Sequence, residues 1–161
     1  MAATEHKGRF APVRDTGDIH ETVETGYVRA DLRVFVQDGV QIPSGTEIGS
    51  KIYLGDVPWD AILDPDLSKL HFDDAGTSVV LDIGDSNDEN ALADNLDVAT
   101  AAGSASLMGS VDRANYGKRL WELLGYASRP KTGKARLYAT VAGANTSAAC
   151  DLFWKIVGTG A

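Results

Sequence analysis

Two stretches decide the fold: residues 134–142 (KARLYATVA) and residues 148–157 (AACDLFWKIV). In the second stretch, apolar residues occupy alternate positions, which is the period of a half-buried β-strand. These residues are Cys150, Leu152, Trp154 and Ile156. The first stretch alternates more loosely, and the link between them, residues 143–147, consists of turn-forming residues. The sequence therefore predicts an antiparallel hairpin of two long strands, which the rest of the chain must cover.

The size and composition of the chain set the domain organisation and exclude several functions. With 161 residues and 43% hydrophobic content, we expect one domain over residues 31–161, preceded by an arm over residues 1–30. The formal net charge of -8 argues against a nucleic-acid partner, because such binding rests on Lys and Arg neutralising phosphates. No stretch approaches the roughly 18 apolar residues of a membrane span, and residues 1–7 lack the apolar core of a secretion signal. We expect a soluble protein made in a reducing compartment, with no membrane partner.

Other short apolar runs predict further strands. They lie at residues 31–36, 46–57, 67–72 and 77–83. Pro58 is expected to end the second of these, and Gly49 and Gly55 to mark bulges or close backbone approaches. The spacing of these strands indicates a mainly β fold, an antiparallel β-sandwich of jelly-roll-like or Greek-key type. We expect one short helix and an extended N-terminal arm beside it.

The helix is predicted within residues 88–101, where Leu92, Leu96 and Ala99 recur at helical intervals. Residues 118–124 are predicted as a strand because glycines bracket them, although their propensity is helical. Three shorter features complete the expectation: a reversal at residues 37–39, one helical turn at 59–63 and a flexible segment at 103–109.

Charge is divided along the sequence. Residues 56–97 contain twelve acids and one lysine, whereas residues 98–136 contain seven Lys or Arg and two acids. Two interpretations stay open. The two regions lie side by side in one fold and offset each other, or they attract copies of the chain or a patterned neighbour.

No group of residues indicates catalysis, a cofactor or a metal. The acidic loop at residues 85–90 has alternate oxygen ligands, but it lacks the Gly and Glu that a helix-loop-helix calcium site needs at its sixth and twelfth positions. We interpret it as a solvated loop with an N-cap. His6, His20 and His71 are too far apart in sequence for a zinc motif. Cys150 falls on an apolar strand face and is expected to be a buried, unreactive thiol. We therefore expect that the protein is not an enzyme.

Contact residues are proposed from composition alone. The arm has isolated apolar positions, as expected of a segment that becomes ordered against a partner. Trp121 and Trp154 have apolar neighbours and are expected in the core, whereas Trp59 follows Pro58 in a loop and is expected to be exposed or to face a partner. The predicted contact residues are Phe10, Val13, Arg14, Ile19, Val23, Tyr27 and Trp59.

Several runs resemble a family of small virion proteins of tailed bacteriophages. They are IGSKIYLGDVP (48–58), LSKLHFD (67–73), LDIG (81–84), ALADNLDVATA (91–101), GKRLWE (117–122) and the closing strand to Val157. The resemblance covers residues 31–157 and rests on glycine positions and apolar alternation. It implies a head decoration or cement protein, made in the host cytoplasm, often trimeric, and bound to the major capsid protein on the outer capsid surface. It supplies no catalytic residues.

Two alternative functions remain. A tail, baseplate or fibre protein would use the same sandwich for host adsorption. A carbohydrate-binding sandwich would stack exposed aromatic rings on sugars, with Trp59 as its candidate residue.

Overall fold

The structure is a computed structural model that describes residues 5–7 (backbone only), 32–99 and 101–160. Its strands are β1 (Glu5–Lys7), β2 (Arg33–Ile42), β3 (Lys51–Val57), β4 (Ile62–Leu63), β5 (Lys69–Phe72), β6 (Val80–Gly84), β7 (Ala93–Asp97), β8 (Gly103–Ser106), β9 (Ala135–Ala142) and β10 (Cys150–Thr159). A 3-10 turn (Arg113–Asn115) and one helix, α1 (Leu120–Leu123), complete the described elements. Among these residues, no helix is long and apolar enough to cross a membrane.

The strands form two facing sheets. The β9 sheet has the order β1-β3-β9-β6-β7, and the β10 sheet has the order β2-β10-β5-β8, with β4 paired to the end of β10. The described strand pairs are antiparallel except β1, which lies parallel to β3. The mainly β sandwich that the sequence predicted is therefore confirmed.

The strand order identifies the kind of sandwich. Without the short β1 and β4, the strands pair first with last: β2 with β10, β3 with β9, β5 with β8, and β6 with β7. This nested hairpin then closes on itself, because β5 also pairs with β10 and β6 with β9. Eight strands joined in this way make a jelly roll of two Greek keys.

The predicted hairpin of β9 and β10 is wrong, although both strands exist. β9 pairs with β3 and β6, whereas β10 pairs with β2 and β5 in the opposite sheet. The loop at residues 143–149 crosses from one sheet to the other. Two strands with one apolar face each can bury those faces by stacking as well as by pairing, so alternation alone does not distinguish the two arrangements.

The core lies between the sheets, and its centre is the apolar face of β10. Trp154 is fully buried, and its indole Nε1 donates a hydrogen bond to the Leu54 carbonyl oxygen of the opposite sheet at 2.7 Å. The register of β3 and β9 shifts between Tyr53 and Gly55, which leaves Leu54 at a β-bulge. The predicted irregularity at Gly55 is confirmed, and β3 ends at Val57, directly before Pro58, as predicted.

The predicted helix at residues 88–101 is wrong, because β7 occupies its centre. Leu81 of β6 pairs with Leu96 of β7, and Ile83 pairs with Ala93. A step of two residues along β6 is therefore matched by a step of three along β7, which is a bulge in β7. Asn95, with φ 54°, lies within this bulge. Leu92 and Leu96 are buried and Ala99 is half-buried, but Leu92 and Ala99 lie outside β7, so the helical spacing came from two loops and a bulged strand.

The predicted strand at residues 118–124 is also wrong, since α1 forms there as propensity favours. The Arg119 backbone N–H donates to Glu122 Oε2 at 2.9 Å, half of a capping box at the start of the helix. Gly125, with φ 76°, follows the final turn. The two glycines bracket a short helix rather than a strand.

Three shorter predictions also fail. The expected reversal at residues 37–39 is mid-strand in β2, where Gly39 lies opposite Phe153 and Asp38 is buried. A Cβ on Gly39 would lie 2.9 Å from the Leu152 carbonyl oxygen, so the close approach of β10, rather than a turn, accounts for this glycine. The expected helical turn at residues 59–63 is a tight turn followed by β4, and the segment at 103–109 contains β8.

The arm prediction lies largely outside the described residues. Within it, Glu5–Lys7 forms β1 on the edge of β3. The contact residues Phe10, Val13, Arg14, Ile19, Val23 and Tyr27 all lie outside the described residues, and their role stays a prediction.

Candidate interaction surfaces

The jelly roll sorts its loops to two ends. Pairing of Cys150 with Ile42, and of Gly158 with Arg33, shows that β2 and β10 run in opposite directions between these ends. One end, called the acidic end, holds the loops at residues 43–50, 73–79, 98–102 (without Thr100) and 143–149. The other end, called the groove end, holds the loops at 58–68, 85–92 and 107–134.

Charge differs between the two ends. The described residues of the acidic-end loops include Glu47, Asp73 and Asp74 and contain no Lys, Arg or His. The groove end carries both signs, and there the acidic and basic stretches of the sequence meet: Asp60 pairs with Arg119 and Arg129. The first interpretation therefore applies at the groove end, whereas the second, attraction of copies or of a patterned neighbour, stays a prediction. Charges partly offset each other at the groove end, and acids accumulate at the acidic end.

A groove of about 460 Å³ opens beside the first residues of β2. Its described lining combines apolar and cationic side chains, and no acid is among these residues. The lining residues are Arg33, Val34, Phe35, Pro58, Trp59, Arg129, Gly133 and Lys134. Arg33, Arg129 and Lys134 are exposed, so the rim of the groove is positively charged in an acidic protein. We call this feature the Trp59 groove.

The expected exposure of Trp59 is wrong, since the side chain is 9% exposed and belongs to the core. Its role as a contact residue that faces a partner stays a prediction. Its Nε1 donates to the Thr132 carbonyl oxygen at 3.2 Å, and its ring meets Tyr126 edge-on at 5.1 Å. Thr132 and Tyr126 belong to a loop some seventy residues further along the sequence. The sequence around Trp59 does not indicate that these two residues bury it. Trp59 still forms part of the groove wall.

Asp60 joins the elements beneath the groove. It accepts a hydrogen bond from Arg119 Nη1 at 2.8 Å and another from Arg129 Nε. Burial raises the pKa of the Asp60 carboxyl, but the hydrogen bonds and charges of Arg129 and Arg119 outweigh this and hold the pKa below its ordinary value of 3.8. The carboxylate therefore links the turn after β3, the start of α1 and the segment around Arg129.

We expect Asp60→Asn to lower the free energy of unfolding at neutral pH and to have a smaller effect in acid. Because the pKa is lower in the folded state, the contribution of this carboxylate is present above the unfolded pKa and is lost as the pH falls through the folded pKa. Urea unfolding at about pH 7 and about pH 2.5 measures this difference. Asp66→Asn, at an exposed residue of the same loop, is the control. The assignment of Asp60 fails if the two variants respond equally to pH.

The acidic loop at residues 85–90 was expected to be solvated, but its first residue, Asp85, is buried and connects the loop to another part of the chain. Asp85 is 3% exposed; its Oδ1 accepts hydrogen bonds from the backbone N–H groups of Asn87 and Asp88, and its Oδ2 accepts from the Tyr126 hydroxyl at 2.7 Å. Burial and this hydrogen bond raise the pKa of Tyr126 to about 12. The carboxylate caps its own loop and binds the loop to residues after α1.

The described residues contain no group of three or more His, Cys, Asp or Glu side chains arranged to hold a metal. Cys150 is fully buried, as the sequence predicted, and burial raises the pKa of its thiol to about 11. Trp121 is half-buried and packs against the core, while Trp154 lies within it as expected.

The comparisons with known proteins show a likeness of fold. The sequence matches no protein-family model and no curated protein. Among solved structures, a chain in the capsid asymmetric unit of cyanophage Pam1 superposes with a TM-score of 0.54 at 15% sequence identity. The two chains share their fold. The alignment covers 83% of this chain and 89% of the Pam1 chain, so it includes most of the jelly roll.

Three large apolar side chains are exposed in the part of the chain that the structure describes. They are Ile48, Leu67 and Phe153, with exposed fractions of 53%, 47% and 44%. Phe153 lies on the outer face of the β10 sheet, where its ring covers Gly39 and approaches His71 at 6.3 Å between ring centroids. Ile48 projects from the acidic end. The sequence does not distinguish these three residues from core positions, because a single exposed apolar residue has the same local pattern as a buried one.

The Ile48 loop, residues 43–50, is fixed by the neighbouring loop 143–149. The Ile48 backbone N–H donates to Asn145 Oδ1 at 3.0 Å, and Gly45 N–H donates to the Thr146 carbonyl oxygen at 2.7 Å. The Thr146 hydroxyl donates to the Pro43 carbonyl oxygen at 2.8 Å. Ile48 is thus an exposed apolar side chain on a loop that is already ordered by internal hydrogen bonds.

Proposed function

We propose that this protein is a bacteriophage head protein that decorates the outer surface of the capsid and cements it. The observation that carries the proposal is the fold likeness to a chain of the cyanophage Pam1 capsid asymmetric unit over most of both chains. The jelly roll supports it, since this fold is frequent in viral capsid proteins. The resemblance of residues 31–157 to small phage virion proteins points the same way. The major capsid protein and further copies of this chain, as a homotrimer, are the proposed partners, and no catalytic step is proposed.

The described structure suits a role in mechanical support. A protein that bridges neighbouring capsomers stabilises a shell because its contacts must be lost before the capsomers separate. Repeated weak contacts achieve this through avidity. The acidic-end loops are joined by backbone hydrogen bonds, such as Ser147 N–H to the Ala75 carbonyl oxygen and Ala75 N–H to the Val98 carbonyl oxygen. A body whose loops are tied to each other loses little conformational entropy on binding.

Cosedimentation with empty phage heads that lack the protein tests the proposal. We expect saturable, stoichiometric binding of the free protein to these heads. A variant with Phe10→Ala and Tyr27→Ala tests the proposed arm contacts and is expected to bind more weakly. Leu67→Ala, at an exposed apolar residue outside the arm, is its control. Failure of the unaltered protein to bind heads would remove the proposal and favour a tail or baseplate location.

A carbohydrate-binding role is the second candidate, and the exposed ring of Phe153 favours it. Jelly rolls include lectins, and an aromatic ring on an open sheet face is a surface on which a sugar can stack. Titration of the free protein with glycans of the host cell surface separates this candidate from the first. Saturable binding that Phe153→Ala abolishes would establish it.

A further inference from the structure

We propose that the Trp59 groove of one copy receives the Ile48 loop of a second copy, in a head-to-tail contact. Both halves of this contact are present on the described surface. The groove offers apolar walls, including Phe35 and Trp59, beneath a cationic rim. The Ile48 loop offers one exposed aliphatic side chain at the acidic end.

Charge is complementary between the two surfaces. Arg33 and Lys134 on the rim of the groove are exposed, and no acid is among the described residues that line the groove. The acidic-end loops carry Asp73 and Asp74, both exposed, and their described residues include no base. Like charges therefore oppose contact between two acidic ends, and opposite charges favour contact of one acidic end with the groove of another copy.

The apolar side chains of the two surfaces also favour contact between the Ile48 loop and the groove. An Ile side chain that is 53% exposed on a surface loop gains free energy when a partner covers it. The hydrogen bonds that fix the Ile48 loop reduce the entropy that such docking costs. The wall of the groove is equally fixed, because the Trp59 indole is bonded to Thr132.

The symmetry of the contact follows from the fold. The Ile48 loop and the Trp59 groove lie at opposite ends of the sandwich. Each copy therefore inserts its Ile48 loop into one neighbour and binds the Ile48 loop of another neighbour in its groove. Such heterologous contacts produce closed rings when the rotation between copies closes, and open chains when it does not. This self-association concerns the free protein and does not depend on the proposed binding to capsids.

Sedimentation velocity across a range of protein concentrations tests the contact. We expect the unaltered protein to self-associate, and its dissociation constant to rise with salt. We expect Ile48→Asp, and separately the pair Arg33→Glu with Lys134→Glu, to raise that constant about tenfold to a hundredfold. Leu67→Asp, at a residue of similar exposure outside both surfaces, should leave it unchanged. Circular dichroism of each variant checks that the fold is retained.

Mixing the two impaired variants gives the sharper result. The Ile48→Asp copy keeps its groove, and the Arg33→Glu, Lys134→Glu copy keeps its Ile48 loop, so the mixture contains one intact contact per pair. We expect one-to-one pairs and no larger species. A monomeric unaltered protein, an Ile48→Asp variant that associates normally, or a mixture without pairs would each overturn the proposal. Binding to heads by a monomeric protein would leave the proposed capsid binding standing, while this inference and the proposed homotrimer fail.

Discussion

Trp154→Ala is expected to lower the free energy of unfolding by about 4 kcal/mol. Trp154 is fully buried at the centre of the core, so its removal leaves a large cavity between the sheets. It also deprives the Leu54 carbonyl oxygen, at the bulge in β3, of the hydrogen bond from the indole. Urea denaturation followed by circular dichroism measures the change.

The neighbouring residue provides a matched control for this prediction. Phe153 belongs to the same strand but faces outward and is 44% exposed. We expect Phe153→Ala to cost less than about 1 kcal/mol, since surface substitutions have small effects and only its cover over Gly39 is lost. Equal losses for the two variants would contradict the assignment of the inner face of β10.

Gly84→Ala is expected to destabilise the protein by about 3 kcal/mol. A Cβ at this position would lie 2.0 Å from the Asp88 carbonyl oxygen and 2.6 Å from the Glu89 carbonyl carbon. Both are backbone atoms of a loop that Asp85 fixes through its hydrogen bonds to Asn87 and Asp88. The loop therefore cannot move away without the loss of those bonds.

Gly117→Ala is the control for this prediction. Nothing lies within 4 Å of a Cβ at Gly117, which is exposed. We expect no loss of stability there, because the substitution creates no contact. Thermal unfolding of the two variants under one condition compares them directly. A Gly84→Ala variant as stable as Gly117→Ala would show that the loop at residues 85–90 does not lie against β6 as described.

The sequence predicted the fold class because alternation is a local property. The long runs around Trp154 and Leu137 are strands, and their apolar residues are buried as expected. Which strands pair is not local: β9 and β10 are consecutive yet lie in opposite sheets. That outcome depends on how a whole nested hairpin folds, and a two-residue period is compatible with either arrangement.

A helix was predicted within residues 88–101 and a strand at residues 118–124, and the structure has the reverse. Both predictions failed because the elements are short or irregular. In β7, the bulge at Asn95 interrupts the strand period, and Leu92 and Ala99, which lie outside the strand, completed an apparent helical spacing with Leu96. In α1, four residues are too few to establish a period, so the bracketing glycines outweighed a propensity that was correct. Short or irregular elements carry little periodic information.

The candidate surfaces were the least predictable part. Trp59 looked exposed in sequence because its cover, Tyr126 and Thr132, comes from a distant loop. The cationic rim was visible only in part, since Arg33 is separated in sequence from Arg129 and Lys134. The division of charge was visible, but its separation into two ends required the order of the strands.

Electron cryomicroscopy of heads saturated with the protein tests the central claim most directly. The proposed function predicts density for a two-sheet jelly roll on the outside of the shell, with each copy contacting neighbouring capsomers. Bare outer shells at saturating protein, or density confined to the tail, would contradict it.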